Sequence, residues 1–380
     1  MTQVRVIPCI LTAILATALA APARADILIA VAGPMSITPL TGRYATFGEE
    51  LRRGAELAVR DVNARGGVNG EPLRLLTADD ACDPKLAVEV AEELARQRVV
   101  LVDGHYCSGA SIPASRVYHD RGVLMIAPSS AHPRLTEQGF ANVFRVSGRD
   151  DRQGRFAADY AVDNGLADRI AIVQDQTTFG KGIADEFEKR LNERGVREAM
   201  YEAISQGDKE FGDLIARMRD WGIGLVYFGG YHTEASLFVR QAHAQGLKAT
   251  MMVNSAMLTR EYWDLAGPAA EGTLMTFGPD PRKLPSAAEV VARFEAEGHD
   301  AEARTLYSYA AVQVFADAAG KAGSTDLEQL ERVLHTDTFQ TVLGPITFDA
   351  KGDNERYEFR MYRWHDGRYE EICCRRSGEQ

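Results

Sequence analysis

Four serines, Ser108, Ser129, Ser130 and Ser255, stand where a chain of this pattern would hold an anion. Each falls just past the carboxyl end of a segment that reads as a β-strand. In open α/β sheets ligands gather beyond those strand ends, where free backbone N–H groups at a helix N-terminus attract negative charge. A hydroxyl beside such N–H groups suits a carboxylate. Ser108 has the sharpest setting, in Val99-Val100-Leu101-Val102-Asp103-Gly104-His105-Tyr106-Cys107-Ser108. There an apolar run is followed by a glycine that turns the chain, and the serine sits where a helix should begin. Phe47, Tyr106, Phe179 and Tyr231 occupy comparable loops and would wall a cleft. Taken singly, each serine also reads as a helix cap and each aromatic as loop packing. Their recurrence at one end of both halves of the chain argues for a shared site.

Catalytic patterns are missing from the sequence. There is no Gly-x-Ser-x-Gly elbow, no Walker loop and no His-Glu-x-x-His. Phe179-Gly180-Lys181-Gly182 and Phe228-Gly229-Gly230-Tyr231 hold glycines without the dinucleotide fingerprint. Neighbouring strand residues point to opposite faces, so Asp79-Asp80 reads as an exposed pair at a strand end rather than an acid–base pair. His105 would be a base only if Cys107 were free, and Cys82 offers that cysteine a partner. No histidine and cysteine spacing completes a metal site, so neither a metal nor a cofactor is expected.

The elements that must position these residues follow from the patterning. Ile27 to Ala32 reads as a strand, and Phe47, Leu51, Ala55, Ala58 and Val62 recur at helical spacing up to Gly66-Gly67. Leu73 to Ala78, Val99 to Val102, Val123 to Ala127 and Phe140 to Val146 alternate as strands with helices. The pattern restarts at Asp150: strands at Arg169 to Gln174, Glu198 to Ile204, Leu225 to Phe228 and Thr250 to Val253, helices between, one of them Gly182 to Arg194. Helices at 287–297, 303–322 and 326–335 and strand-like pieces at 346–348 and 357–364 complete the chain. This predicts an α/β protein of two doubly wound lobes.

The first 25 residues read as a cleavable signal peptide, with an apolar stretch from Ile10 to Ala21 and Ala23-Arg24-Ala25 before Asp26. The mature chain, Asp26 to Gln380, is expected to be exported to the periplasm. It carries 41 basic and 54 acidic residues. An acidic surface without a basic block argues against nucleic acid and anionic lipid as partners. Of its four cysteines, Cys82 and Cys107 are expected to pair, closing a loop of about 25 residues that contributes roughly 3 kcal/mol. The adjacent Cys373 and Cys374 read as free or variably oxidised thiols.

Asp79-Asp80-Ala81-Cys82-Asp83-Pro84-Lys85, Gly104-His105-Tyr106-Cys107-Ser108, Tyr227-Phe228-Gly229-Gly230-Tyr231-His232 and Leu343-Gly344-Pro345 together resemble the periplasmic leucine/isoleucine/valine-binding proteins of bacterial ABC importers. The resemblance implies a type I periplasmic binding protein, two lobes on a three-crossover hinge, and supports the Cys82–Cys107 bridge. It places the first lobe at 26–149 and 278–348, and the second at 150–277 with the C-terminal strands and tail at 349–380. It implies a monomer that serves an inner-membrane ABC permease and captures a branched-chain or other hydrophobic amino acid, without an enzymatic step.

By the same resemblance Ser108 takes the ligand's carboxylate, Ser129 and Ala131 align with a loop that supplies a backbone carbonyl and a threonine, and Phe47, Phe179 and Tyr231 form the walls. The loop from Ile37 to Arg43 is longer here, and Ala131 has no hydroxyl. Ser255 stands where the family has the acid that pairs with the ligand's ammonium. Losing that carboxylate costs about 3–5 kcal/mol, roughly two to three decades or more of affinity. Either another acid substitutes, with Asp103 the candidate and a solvated strand-end carboxylate its competing reading, or the ligand lacks an α-ammonium. The second branch describes an aromatic or aliphatic carboxylic acid or an amide-like solute. A ligand sensor for a separate membrane partner is the alternative role.

Overall fold

The structure is a computed structural model that describes residues 26–35 and 44–372. The signal segment, the loop from Ile37 to Arg43 and Cys373-Cys374 lie outside the described residues. The first series of elements is β1 (Ile27–Gly33), α1 (Ala45–Ala64), β2 (Leu73–Asp79), α2 (Pro84–Arg96), β3 (Leu101–Gly104), α3 (Ser108–Arg121), β4 (Leu124–Ala127), the single turn α4 (Arg134–Glu137) and β5 (Val143–Arg145). The second is α5 (Asp150–Asp163), β6 (Ile170–Gln174), α6 (Thr178–Glu193), β7 (Met200–Ala203), α7 (Gly212–Asp220), β8 (Leu225–Gly229), α8 (His232–Ala244), β9 (Thr250–Val253), α9 (Arg260–Ala266) and β10 (Leu274–Phe277). Then come α10 (Ala288–Ala296), α11 (Ala303–Ala322), α12 (Leu327–Thr336), the hairpin β11 (Thr338–Thr341) and β12 (Gly344–Thr347), and finally β13 (Arg360–His365) and β14 (Arg368–Ile372).

Two sheets result. The first has the order β2-β1-β3-β4-β5, all parallel. The second runs β14-β13-β10-β9-β8-β6-β7, with all strands in one direction except β13, which is antiparallel to both of its neighbours. Central strands such as β3, β4, β6 and β8 are buried along their whole length, as parallel strands covered by helices on both faces must be. In each sheet the strand order reverses direction once, between β1 and β3 and between β6 and β8. Crevices at such switch points are where doubly wound sheets bind ligands.

Local chemistry sets the helix ends. Asp83 accepts from the N–H groups of Lys85 and Leu86, and Pro84 opens α2 where its missing N–H is harmless. Gly122 ends α3 in the left-handed conformation at φ 69°. α1 packs against α11 at Gly54, where a Cβ would lie 2.1 Å from the Thr305 carbonyl oxygen. Only glycine permits that approach, and it fixes the start of α11. The disulfide joins Cys82, after β2, to Cys107, before α3, with Cα atoms 5.5 Å apart. Replacing both cysteines by serine is expected to lower stability by about 3 kcal/mol. Urea denaturation checks this, and an unchanged midpoint would show that the bridge constrains nothing.

Several expectations need correction. The strand expected at Phe140 to Val146 shrinks to β5, because Phe140 turns aside to stack on His119 at 4.3 Å. The strand expected from Tyr357 begins at Arg360, since the Tyr357 hydroxyl is drawn inward to accept from the Gly278 N–H. α6 begins at Thr178 rather than Gly182, capped by the Thr177 hydroxyl on the Gly180 N–H. Asp80 is buried rather than exposed, held against the His105 ring, whose other nitrogen meets the Tyr118 hydroxyl at 2.9 Å.

The chain passes between the sheets after β5, after β10 and before β13. At the first and third passages a charged clamp joins the strands. Arg145 is fully buried and its Nε donates to Asp353 at 2.8 Å, while Arg149 Nη1 reaches the other carboxylate oxygen at 2.6 Å. The Arg145 N–H also donates to the Gly352 carbonyl at 2.9 Å.

Candidate functional site

The two switch points face each other across the cleft, and their loops meet in one small chamber. Tyr106, Ser108, Ser129, Phe179 and Tyr231 line it, together with Ala256 and Arg304. Only about 10 Å³ of free space remains inside. A recess of about 440 Å³ lies at the mouth, bordered by Pro34, Tyr44, the disulfide, Phe179 and Tyr231. The lobes are shut on one another. Tyr44 and Tyr231 rings lie 4.6 Å apart, Phe47 meets the edge of His232 at 4.9 Å, and Gln206 Nε2 donates to the Tyr44 hydroxyl at 2.6 Å.

Each loop is held by hydrogen bonds that the sequence supplies locally. Ser108 is the first residue of α3, so its hydroxyl lies beside the helix's free N–H groups. That hydroxyl accepts from the His132 N–H at 3.3 Å. Ser130 is a strut rather than a lining residue: it is 1% exposed and its hydroxyl reaches the carbonyls of His105 and Tyr106 and the hydroxyl of Ser111. Ala131 is buried, and its carbonyl accepts from the Asp150 N–H at 2.8 Å. In the second lobe Asp175 binds both loops of the switch point, accepting from the Thr177 N–H and hydroxyl and from the Tyr231 N–H at 3.2 Å. Burial pushes its carboxyl up to about 6. Asn254 fixes Ser255 by donating to the Phe228 and Gly230 carbonyls and accepting from the Ala256 N–H.

Phe47 is buried behind the chamber and stacks on Tyr106, centroids 4.4 Å apart and planes 10° from parallel. Tyr106 in turn touches Ser129 and Arg304 through its hydroxyl. Ser255 is turned away from an ammonium role: its hydroxyl accepts from Arg304 Nη2 at 3.2 Å and lies 3.4 Å from the Gln153 amide oxygen.

Asp103 neither enters the chamber nor meets solvent. It is 0% exposed, and Ser308 of α11 donates to it. Burial raises its carboxyl well above the usual range, so it is a polar contact between β3 and α11. Both readings of this residue are overturned because α11 packs directly over β3.

Sequence reasoning missed Asp150 and Arg304. Asp150 opens α5 beside Ala131, and its charge bears on Tyr231, whose phenol is raised first by burial and then by neighbouring charges. Both Asp150 carboxylate oxygens are buried without a hydrogen-bond partner among the described residues. Burial pushes this carboxyl up to about 8 even though Arg145 and Arg304 pull it down. A second buried carboxylate, Glu50, faces a separate recess of about 540 Å³ with Glu261 and Glu302 and so lies off the chamber.

Comparison with known proteins agrees with this geometry. Residues 36–368 match the periplasmic binding protein family. A Leu/Ile/Val-binding protein homolog from Brucella melitensis is 44% identical over 352 residues, 92% of this chain and 94% of that protein. An amino acid binding protein from Pseudomonas aeruginosa is 44% identical over 354 residues, 92% of this chain and 93% of its own. Among solved structures, a leucine binding protein from Thermotoga maritima superposes with a TM-score of 0.84 at 25% identity, covering 91% of this chain and 98% of that one. An ABC transporter substrate-binding protein from Desulfitobacterium hafniense, in complex with Leu, gives 0.76 at 26% identity over 92% and 100%.

Proposed function

We propose that this chain, which belongs to the periplasmic binding protein family, captures an amino acid between its lobes and delivers it to an ABC permease. It acts in the periplasm, after removal of its leader, and returns the ligand unchanged. The carboxylate is received by Ser108, the N–H groups at the start of α3, and Ser129. The tail lies among Tyr106, Phe179 and Tyr231. Asp150 receives the ammonium, the part left open by Ser255. Branched-chain tails, for which the similar proteins are named, fit the aromatic walls.

One observation carries the reading: the switch points of two separate sheets deliver hydroxyls and aromatic rings into one closed chamber. Calorimetry on protein refolded without ligand tests it, using leucine and valine against their 2-oxo acids. The amino acids are expected to bind and the 2-oxo acids to bind at least tenfold more weakly, because they leave Asp150 unpaired. A preference for the 2-oxo acids would remove the ammonium from the reading. Failure of both groups would remove the carboxylate as well.

A further inference from the structure

Arg304 is a buried guanidinium that has no ion-pair partner among the described residues. It is 5% exposed, and it lines the chamber beside Tyr106, Ser129 and Tyr231. Its Nη2 donates to Ser255 at 3.2 Å, and its Nε has no hydrogen-bond partner among the described residues. Its guanidinium carbon lies 5.3 Å from the centre of the Phe277 ring and 5.8 Å from that of Tyr307. Among the described residues no carboxylate forms an ion pair with it. The contrast with Arg145 and Arg149 is direct, since both pair with Asp353 and Arg149 pairs with Glu137 and Asp151 as well.

A buried charge without a partner is costly, and removing it or pairing it relieves the cost. Ring faces and the hydroxyls of Ser255 and Tyr106 offset only part of it. Glu50 and Asp150 are the nearby acids whose charge Arg304 feels, and burial holds both above the ordinary carboxylate range. Ser255 leaves the cation intact, whereas an acid at that position would be within reach to cancel it.

Arg304 enters from the start of α11 and touches Ser255, which follows β9 of the second sheet. Ser108 and Ser129 enter from the loops after β3 and β4 of the first. The guanidinium therefore reaches the chamber from the β9 side, adjoining the Ser129 side through the Tyr106 hydroxyl.

We infer that Arg304 reads a second anionic group, so that the chamber binds an amino acid whose side chain ends in a carboxylate more tightly than one with an aliphatic tail. The aromatic walls would then enclose the methylene stem and Arg304 its end. The inference rests on amino-acid capture as proposed above.

Calorimetry with L-glutamate, L-glutamine and L-leucine on the wild type tests it without any substitution. Glutamate is expected to bind at least tenfold more tightly than the other two. Arg304→Met should lose at least a hundredfold for glutamate and gain for leucine, and Arg304→Lys should keep glutamate ahead. Leucine binding with no advantage for glutamate overturns the inference and leaves amino-acid capture standing. Equal losses for glutamate and leucine in Arg304→Met also overturn it, because Arg304 would then hold the α-carboxylate common to both. Failure of all three ligands on the wild type overturns amino-acid capture itself.

Discussion

Asp150→Asn is expected to weaken amino-acid binding by two to three decades. The carboxylate is buried beside Ala131 with both oxygens unpartnered among the described residues, and on the proposed reading the ligand's ammonium supplies the missing partner. Removing one member of a buried ion pair costs about 3–5 kcal/mol, which is that range of affinity. Asparagine has nearly the same shape and its N–H still reaches the Ala131 carbonyl, so the melting temperature without ligand should change little. Acidity gives an independent reading. Burial holds the Asp150 carboxyl near 8 before the ligand arrives. Only its ionised form pairs with an ammonium, so below pH 8 binding must expel a proton. The affinity of the wild type should rise about tenfold per pH unit from 6 towards 8, and calorimetry in buffers of different ionisation heat should register proton release. In Asp150→Asn both effects should vanish. A flat wild-type profile over this interval would assign the ammonium to another group.

The second large effect concerns the clamp at the hinge. Asp353→Ala leaves Arg145 fully buried and Arg149 nearly so, with their shared acceptor gone. A buried cation stranded in this way costs about 3–5 kcal/mol. Thr136, whose hydroxyl lies 3.0 Å from both carboxylate oxygens, also loses its contact. A matching fall in the urea midpoint is the expected outcome, and a midpoint within experimental scatter of the wild type would show that the clamp is replaceable by water. Burial works to raise the Asp353 carboxyl, but Arg145 and Arg149 prevail and hold it below its ordinary value. Its contribution is therefore complete above about pH 4, where the unfolded chain's aspartates are ionised. It is lost as pH falls through the lower folded value, so the gap between wild type and variant should narrow there.

The alternation of strands and helices was legible because parallel strands covered on both faces must be continuously apolar, as Ile170 to Val173 and Leu225 to Phe228 are. The cap at Asp83 and the helix stop at Gly66-Gly67 were legible for local reasons of the same kind. The chamber was legible in part, since Tyr106, Ser108, Ser129, Phe179 and Tyr231 all follow strands whose ends converge. Asp150 escaped because an acid in the first turn of a helix is also what the helix dipole favours. Nothing local distinguishes that role from burial under a crossover. Arg304 escaped because Glu302-Ala303-Arg304 reads as a charged helix start. Its burial is decided by Gly54, some 250 residues earlier in the chain, which lets α1 lie against α11. A signal was present all the same: from Thr305 to Val312 the sequence has no charged residue, and the structure buries that whole stretch.

The shut lobes also have a consequence in time. With Tyr44 against Tyr231, Phe47 against His232 and about 10 Å³ left inside, a solute held in the chamber leaves as these contacts between the lobes part. Residence is then governed by how often the lobes part rather than by how many contacts the solute makes. Two solutes of unequal affinity would leave at similar rates and differ chiefly in how readily the lobes close behind them. A transporter that pries the lobes open would empty the chamber without competing for any atom inside it.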